Sequence, residues 1–387
     1  MRRDADIRAR LTAGDEDSVI TFLLFGVTFT SQPRYSFAAA AAGRAPEAVV
    51  ADPVVQRRIA DMVAGIASPG TNERLQFARR VVERHGADVT TAAGRQRAEQ
   101  ALRDGLKRML ADYDTYFRDS APGATLFRTR GLSSDTSIYA AFAIDAALKD
   151  VAAKGVLRPG RVQRVAVIGP GLDFTDKQEG YDFYPLQTIQ PFAVIDSLRA
   201  RNLAAQDVRM TTYDLNPRVN DHIEAARLRA ARGAAYTVQL PRDATQRWQR
   251  DLLSYWTRMG EKIGERGQPT VPPPAAGRVD VRAVRVRPDV VQAITPRDVN
   301  IILQRPDPLP EDERFDLIVA TNILIYYDVF EQSLALANLA RMLHSGGVLL
   351  TNNPLFELPS IPVHQVGETK VAYTDAGADW IAWYQRE

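Results

Sequence analysis

Two periodicities divide this chain. Ahead of residue 155, apolar positions recur every three or four residues. Val54, Val55, Ile59, Met62 and Val63 do so over 52–66, and Ala98, Leu102, Leu106, Leu110 and Tyr113 over 92–117. That is the stripe of a helix that buries one face. Thr71 is placed to cap a further helix running through Val82, with Gly86 as its stop, and 135–153 predicts another that ends before Gly155. The apolar run 19–27 reads as a buried helix or strand. From about residue 160 the pattern changes. Short apolar runs at 164–168, 208–213, 279–286, 299–303, 315–320, 347–351, 370–374 and 380–384 predict strands. Helical patterns at 191–201, 220–232, 245–265 and 328–343 fall between them. In 245–265, Trp248, Leu252, Trp256, Met259 and Ile263 share a face, and the Pro-rich stretch 267–277 then reads as an exposed loop. Strands alternating with helices predict an α/β fold with a doubly wound, mostly parallel sheet, preceded by a helical N-terminal domain. The expected division is a mostly helical lid or substrate domain over 1–155 and a Rossmann-like domain over 156–387, with insertions near 174–190 and 233–295.

Composition narrows the chemistry. The chain has 387 residues, 45% hydrophobic and 25% charged, with a net charge of +2, which demands neither nucleic acid nor an anionic membrane as partner. It has no cysteine, so disulfides, thiolate zinc sites and cysteine nucleophiles are excluded. Four histidines (His85, His222, His344, His364) at unrelated spacings predict no metal site. The run 19–27 is too short to span a bilayer, follows Asp15, Glu16 and Asp17, and lacks a clear cleavage site, so a cytoplasmic protein is expected. No basic, aromatic-interleaved patch argues for nucleic acid, and nothing specifies an oligomer.

In open parallel sheets, ligands sit beyond the carboxyl ends of the strands. After the run 165–168 come Gly169, Pro170, Gly171 and Asp173. Glycine there allows a sharp turn and lets a ligand approach the backbone closely. After the next strand come Asp214, Leu215 and Asn216, where a carboxylate can accept from both hydroxyls of a ribose. Asp307 follows the run at 299–303, in position to meet an adenine amino group, and Thr321 and Asn322 follow 315–320. In the helical half, the loop 120–135 lies among Tyr113, Tyr116, Phe117, Phe127 and Tyr139. It reads either as the wall of a substrate pocket or as a helix start capped by Ser133, Ser134 or Asp135.

The stretches 165–173, 213–217, 315–328 and 339–351 resemble, in order, those of the class I S-adenosylmethionine-dependent methyltransferases. The phrase 322–328 is similar to a segment of the chemotaxis-receptor glutamate methyltransferases, and 366–384 resembles the reversed last hairpin of that fold. The resemblance covers about 165–387, with interruptions, and implies a seven-stranded sheet binding S-adenosylmethionine. Gly169 and Gly171 would then face the cofactor, Asp214 the ribose, Asp307 the adenine and Asn322 the methyl-donor side. Two departures stand out: Val167 occupies the place of the family's acid, and Asp173 that of its third glycine, where its carboxylate would meet the methionine amino group. The expected reaction is methyl transfer to a hydroxyl, carboxyl or amine, on a small molecule in preference to a protein side chain. Tyr326, Tyr327, Asp182 and His364 are the candidates for a general base. Two rivals are weighed beside it. One is a non-catalytic binding protein on the same scaffold, favoured by Val167. The other is a nicotinamide-dependent oxidoreductase, disfavoured because Phe174 stands where G-x-G-x-x-G needs glycine.

Overall fold

The structure, a computed structural model, describes residues 2–35, 45–118, 131–132, 135–174, 181–304, 309–352, 354–375 and 377–387, without the side chains of 2–3 and 113–118. The loop 119–130, Ser133, Ser134, 175–180 and Asp307 lie outside the described residues.

Among the described residues, five helices come first: α1 (Arg2–Phe25), α2 (Pro46–Val50), α3 (Pro53–Ala67), α4 (Glu73–Arg84) and α5 (Ala92–Arg118). Asp52 caps α3 by accepting from the Val54 amide, with Pro53 pre-set for the first turn. Asn72, one residue beyond the expected Thr71, caps α4 by accepting from the Arg74 and Leu75 amides. The apolar stripes of these helices meet Phe22, Leu23 and Leu24 of α1 in one core, so the run 19–27 is helical as far as Phe25. Arg58 of α3, fully buried, donates to the carbonyls of Leu23, Gly26, Gln32 and Pro33. It thereby satisfies carbonyls that the end of α1 leaves without helical partners.

The second half is the expected doubly wound sheet. Its strands are β1 (Val162–Ile168), β2 (Ala204–Tyr213), β6 (Ile294–Arg297), β7 (Phe315–Val319), β8 (Leu343–Thr351), β9 (Val363–Ala372) and β10 (Ala378–Arg386), in the order β6-β2-β1-β7-β8-β10-β9. The pairs β1–β2, β1–β7, β2–β6 and β7–β8 are parallel, while β10 runs antiparallel to both β8 and β9. This is the class I methyltransferase topology, reversed last hairpin included. Along β1 the residues alternate between two cores, Val165 and Val167 facing one and Ala166 and Ile168 the other. Both faces are therefore covered, which is why the strand reads as a continuous apolar run. Helices α7 (Gln190–Ala200) and α8 (Pro217–Ala230) share the first core, and α11 (Val329–Met342) the second.

Four expectations shift. Residues 299–303 form turns rather than a strand, and the sheet edge is β6, whose Ile294 to Arg297 pair with Met210 to Tyr213. Residues 279–286 do form a strand, β5, but in a separate antiparallel sheet with β3 (Tyr236–Asp243) and β4 (Gly264–Arg266), in the order β3-β5-β4. The helix expected over 245–265 is only α9 (Arg250–Arg258), because Gly260 takes φ of +98° and the chain turns into β4. Finally, α6 (Ile138–Ala153), with Ser137 at its N-cap position, packs on α7, β9 and β10. A division at 155 would thus sever a helix from the sheet it covers.

Candidate active site

The carboxyl ends of β1, β2 and β7 open onto a cavity of about 360 Å³, within the usual range for small-molecule sites. The turn after β1 forms its floor. Gly169 and Gly171 have φ of +64° and +67°, a conformation that suits glycine. A Cβ on Gly169 would lie 2.1 Å from Cδ1 of Ile323, so the turn and the 322–327 segment meet backbone to side chain with no space between them. The Gly169 amide donates to the Tyr213 carbonyl at 2.8 Å, tying the turn to the end of β2.

One residue further, Asp214 lines the cavity, half-buried. Its carboxylate accepts from the Asn216 amide at 2.8 Å, and the nearby Gly171 and Leu215 amides favour its ionised form. Burial nevertheless dominates and pushes its pKa up to about 7. Asn216 caps α8 by accepting from the Arg218 amide, which fixes where the β2–α8 loop turns. Leu215, Tyr213, Val299 and Ile301 supply an apolar wall beside this carboxylate.

Across the cavity, Thr321 is buried and its hydroxyl accepts from Gln190 Nε2 at 3.0 Å. Asn322 is one of two described non-glycine residues at positive φ (+60°), its amide donating to Asn352 Oδ1 at 2.5 Å. Strain of this kind concentrates at functional sites. Tyr326 and Tyr327 follow on the same wall. Tyr327 is 4% exposed, burial raises the pKa of its hydroxyl, and among the described residues that hydroxyl has no hydrogen-bond partner. Arg10 from α1 reaches over, its guanidinium 5.7 Å from the Tyr327 ring centre and donating to the Tyr326 carbonyl at 2.7 Å.

Tyr139 and Asp135, at the end of the loop offered as a pocket wall, do line the cavity, Asp135 accepting from Ser18 Oγ at 3.0 Å. Thr136, Ser137 and Ala140, which escaped the sequence reading, bring the N-terminal turn of α6 there with them. At the far end, Tyr373 and Asp379 face the cavity, with the Tyr373 hydroxyl donating to Asp379 Oδ2 at 2.7 Å. The reversed hairpin carried the signal for this pair. A strand antiparallel to its neighbours begins at the edge where they end, so the β9–β10 turn lies at the carboxyl edge.

Other sequence candidates lie elsewhere. Pro170 and Asp173 are buried and do not line the cavity. The carboxylate of Asp173 accepts from Tyr184 Oη at 2.9 Å and Gln187 Nε2 at 2.8 Å, and burial pushes its pKa up to about 6. It braces the 174–190 insertion, because the Asp173–Gln187 bridge turns the chain away from the cavity floor. Asp182 is also bracing: it accepts from the Val27 amide at 2.7 Å, the Thr28 amide at 3.1 Å and the Thr28 hydroxyl. His364, near the start of β9 and so at the opposite edge of the sheet, pairs with Glu357 at 3.2 Å. Gly169, Gly171, Asp214, Leu215, Asn216, Thr321, Asn322, Tyr326 and Tyr327 do converge on one space.

The charge of that space is one-sided. Asp135, Asp214 and Asp379 line it, and among the described lining residues there is no lysine, arginine or histidine. Such a site suits a ligand that carries positive charge. It also suits a nucleoside, with the Asp214 carboxylate beside an apolar slot at the end of β2.

No protein-family model and no curated protein sequence matches the chain. Among solved structures it is similar to the N-methyltransferase NodS from Bradyrhizobium japonicum WM9, at 15% identity over 63% of this chain and 94% of that one, with a TM-score of 0.31. It is also similar to magnesium protoporphyrin IX methyltransferase (ChlM) from Synechocystis PCC 6803, at 11% identity over 72% and 91%, with a TM-score of 0.31. A third likeness is to a TehB-like methyltransferase from Corynebacterium glutamicum ATCC 13032, at 10% identity over 63% and 87%, with a TM-score of 0.29. Likeness at this level adds nothing to what the strand order establishes, so the reading of function rests on the cavity.

Proposed function

We propose that this chain is an S-adenosylmethionine-dependent methyltransferase acting on a small organic acceptor. One observation carries the reading: Asp214, at the end of β2, and Gly169 and Gly171, from the turn after β1, line the same cavity, the Asp214 carboxylate being held by the Asn216 amide at 2.8 Å. When bound, S-adenosylmethionine supplies an electrophilic methyl group on a positively charged sulfur.

The residues present have work suited to that ligand. Asp214 is the acceptor for the two ribose hydroxyls, pre-oriented by the Asn216 amide. Leu215, Tyr213, Val299 and Ile301 give the base an apolar slot. The first turn of α6, whose Ser137 hydroxyl forms no cap bond, suits the methionine carboxylate. Asn322 and the floor glycines set the depth at which the methyl-donor side lies. Tyr326 and Tyr327, roofed by Arg10, exclude water from the reacting centre. The Tyr327 hydroxyl has its pKa raised, so it serves as a donor or positioner rather than a base. A cavity walled by aromatic side chains favours a small acceptor over a protein side chain.

A dinucleotide is less well served. After Gly171 the chain passes through the Asp173–Gln187 bridge, and α7 does not begin until Gln190, so no helix N-terminus follows the glycine turn directly to meet a pyrophosphate.

Titration calorimetry with S-adenosylmethionine tests the reading. Binding is expected in the micromolar range or tighter, with Asp214→Ala weakening it by about tenfold or more through loss of charge-assisted hydrogen bonds. The hydroxyls bond best to the ionised carboxylate. Affinity should therefore fall as pH drops below about 7 and level off above it. No binding to wild type removes the proposal, and binding without methyl transfer to any amine, alcohol or acid leaves a non-catalytic binder.

A further inference from the structure

The methyl acceptor also has a chemistry that the cavity wall specifies. We propose that the acceptor is a small amine, drawn in as its ammonium form by the Asp379–Tyr373 pair beside Tyr139; Asp379 Oδ1 takes one ammonium proton, the freed nitrogen lone pair forms the new N–C bond as the S–C bond breaks, and the neutral thioether leaves. This rests on the methyltransferase reading and names the substrate class of the same site.

The argument begins with what the other acids in the cavity are doing. Asp214 is held by the Asn216 amide at the cradle end, and Asp135 is engaged by Ser18. Asp379 belongs to neither group. It sits two residues into β10, on the last hairpin, and its described hydrogen bond is the one Oδ2 takes from the Tyr373 hydroxyl at 2.7 Å. That bond orients the carboxylate and leaves Oδ1 for a ligand. Burial raises the carboxyl's pKa, and the Tyr373 hydrogen bond opposes that shift. An arriving cation would lower it again, which is favourable coupling between carboxylate and ligand charge.

The adjoining surface is aromatic. The Tyr139 and Tyr373 rings pack edge to face with centres 5.0 Å apart, and behind them Tyr139 meets Trp248 at 5.6 Å and Phe142 meets Tyr373 at 6.2 Å. The rings are therefore fixed before any ligand arrives. Aromatic faces beside a carboxylate make a site for an ammonium group, through ion pairing and cation–π attraction together. The same wall repels an acid: among the described lining residues no lysine, arginine or histidine would neutralise a carboxylate or phosphate. Tyr327 adds a second polar group without a described partner, a hydroxyl on a side chain 4% exposed that lines the same cavity.

The test uses the full chain saturated with S-adenosylhomocysteine and titrated with three probes of one shape: 2-phenylethylamine, 2-phenylethanol and 3-phenylpropionate. The amine is expected to bind about tenfold or more tightly than the alcohol, and the acid weakest of the three. Asp379→Asn should abolish the preference for the amine while S-adenosylhomocysteine affinity stays within about twofold of wild type. Tyr373→Phe, which keeps the ring, should weaken the amine by a few-fold and serves as the second variant if Asp379→Asn does not fold. Equal or tighter binding of the alcohol or acid, no binding of the amine, or an unchanged preference in both variants overturns the amine proposal. Failure of wild type to bind S-adenosylhomocysteine overturns the methyltransferase reading instead, so the two failures are told apart.

Discussion

Asp173 and Asp214 are both aspartates just beyond a strand of the same sheet, yet their surroundings give them different work. Asp214 faces the cavity and takes the Asn216 amide, whereas Asp173 is shut in with Tyr184 and Gln187, one of its oxygens lacking any described partner. A buried carboxylate with an unbonded oxygen is costly when ionised. The sign of its pH effect follows from its folded pKa of about 6, against 3.8 in the unfolded chain. The folded state then binds the proton more tightly than the unfolded chain does. Stability is therefore lost as pH rises from about 4 to about 6 and stays constant above that. Asp173→Asn retains an oxygen for Tyr184 and Gln187 and carries no charge. Its unfolding free energy should exceed that of wild type above pH 6, by an amount on the order of 3 kcal/mol, and the advantage should shrink towards pH 4. A difference that does not vary with pH would show that ionisation of Asp173 is not what matters.

Among the elements, α1 does two jobs that its sequence does not separate. Its C-terminal half is packed into the helical core, while Ile7 joins the sheet core and Leu11 lines the cavity. The polar side chains of the N-terminal half reach the loop at 298–300 and the tyrosine wall. Asp4 accepts from Asn300 Nδ2 at 2.8 Å, Arg8 pairs with Asp298 at 3.1 Å, and Arg10 donates to the Tyr326 carbonyl at 2.7 Å. This half of the helix is a strap across the mouth of the site. Partly exposed ion pairs contribute little to folding, typically below about 1 kcal/mol, so the strap should matter more for ligand exchange than for stability. In the double variant Arg8→Ala/Arg10→Ala, stopped-flow displacement should show bound S-adenosylhomocysteine leaving about five- to tenfold faster, an effect of about 1 kcal/mol. An unchanged dissociation rate would mean that α1 does not gate the site.

Across the molecule, the helical core and the sheet are joined through the 174–190 insertion. Phe174 sits in the helical core, 5.0 Å from Phe77 and 5.9 Å from Phe22 between ring centres. Arg74 of α4, 3% exposed, donates to the carbonyls of Tyr184 at 2.6 Å, Asp173 at 3.1 Å and Phe174. These are buried backbone acceptors of a loop that lies outside any sheet or helix, and one guanidinium satisfies all three. Arg74→Met keeps the stem and leaves those carbonyls unmet, which should destabilise the protein by about 3 kcal/mol or more. Because the turn after β1 leads directly into this loop, cofactor affinity should fall as well. Denaturant unfolding and calorimetry on the same variant check both effects. Destabilisation with unaltered affinity would mean that the loop does not hold the cavity floor.

What was legible in the residues was whatever depends on neighbours a few positions away. Alternating and helical apolar periods gave the order of strands and helices. A buried run followed by Gly169 and Gly171 gave the floor of the site, and the acid after β2 gave its cradle. Each of these follows from local backbone sterics and from burial of one face or two. Long-range pairing was not legible in this way. The apolar run 299–303 has the composition of a strand, yet β6 forms five residues earlier because Ile294 is what lies beside Met210. The strand at 279–286 satisfies its pattern equally well in a separate antiparallel sheet, and α6 satisfies its own against α7 rather than the helical bundle. The same limit hid Tyr373 and Asp379, which line the cavity beside Tyr139 only because a reversed hairpin and the first turn of α6 come to the same edge. Periodicity states which side of an element must be buried, and only the assembled chain states what it is buried against.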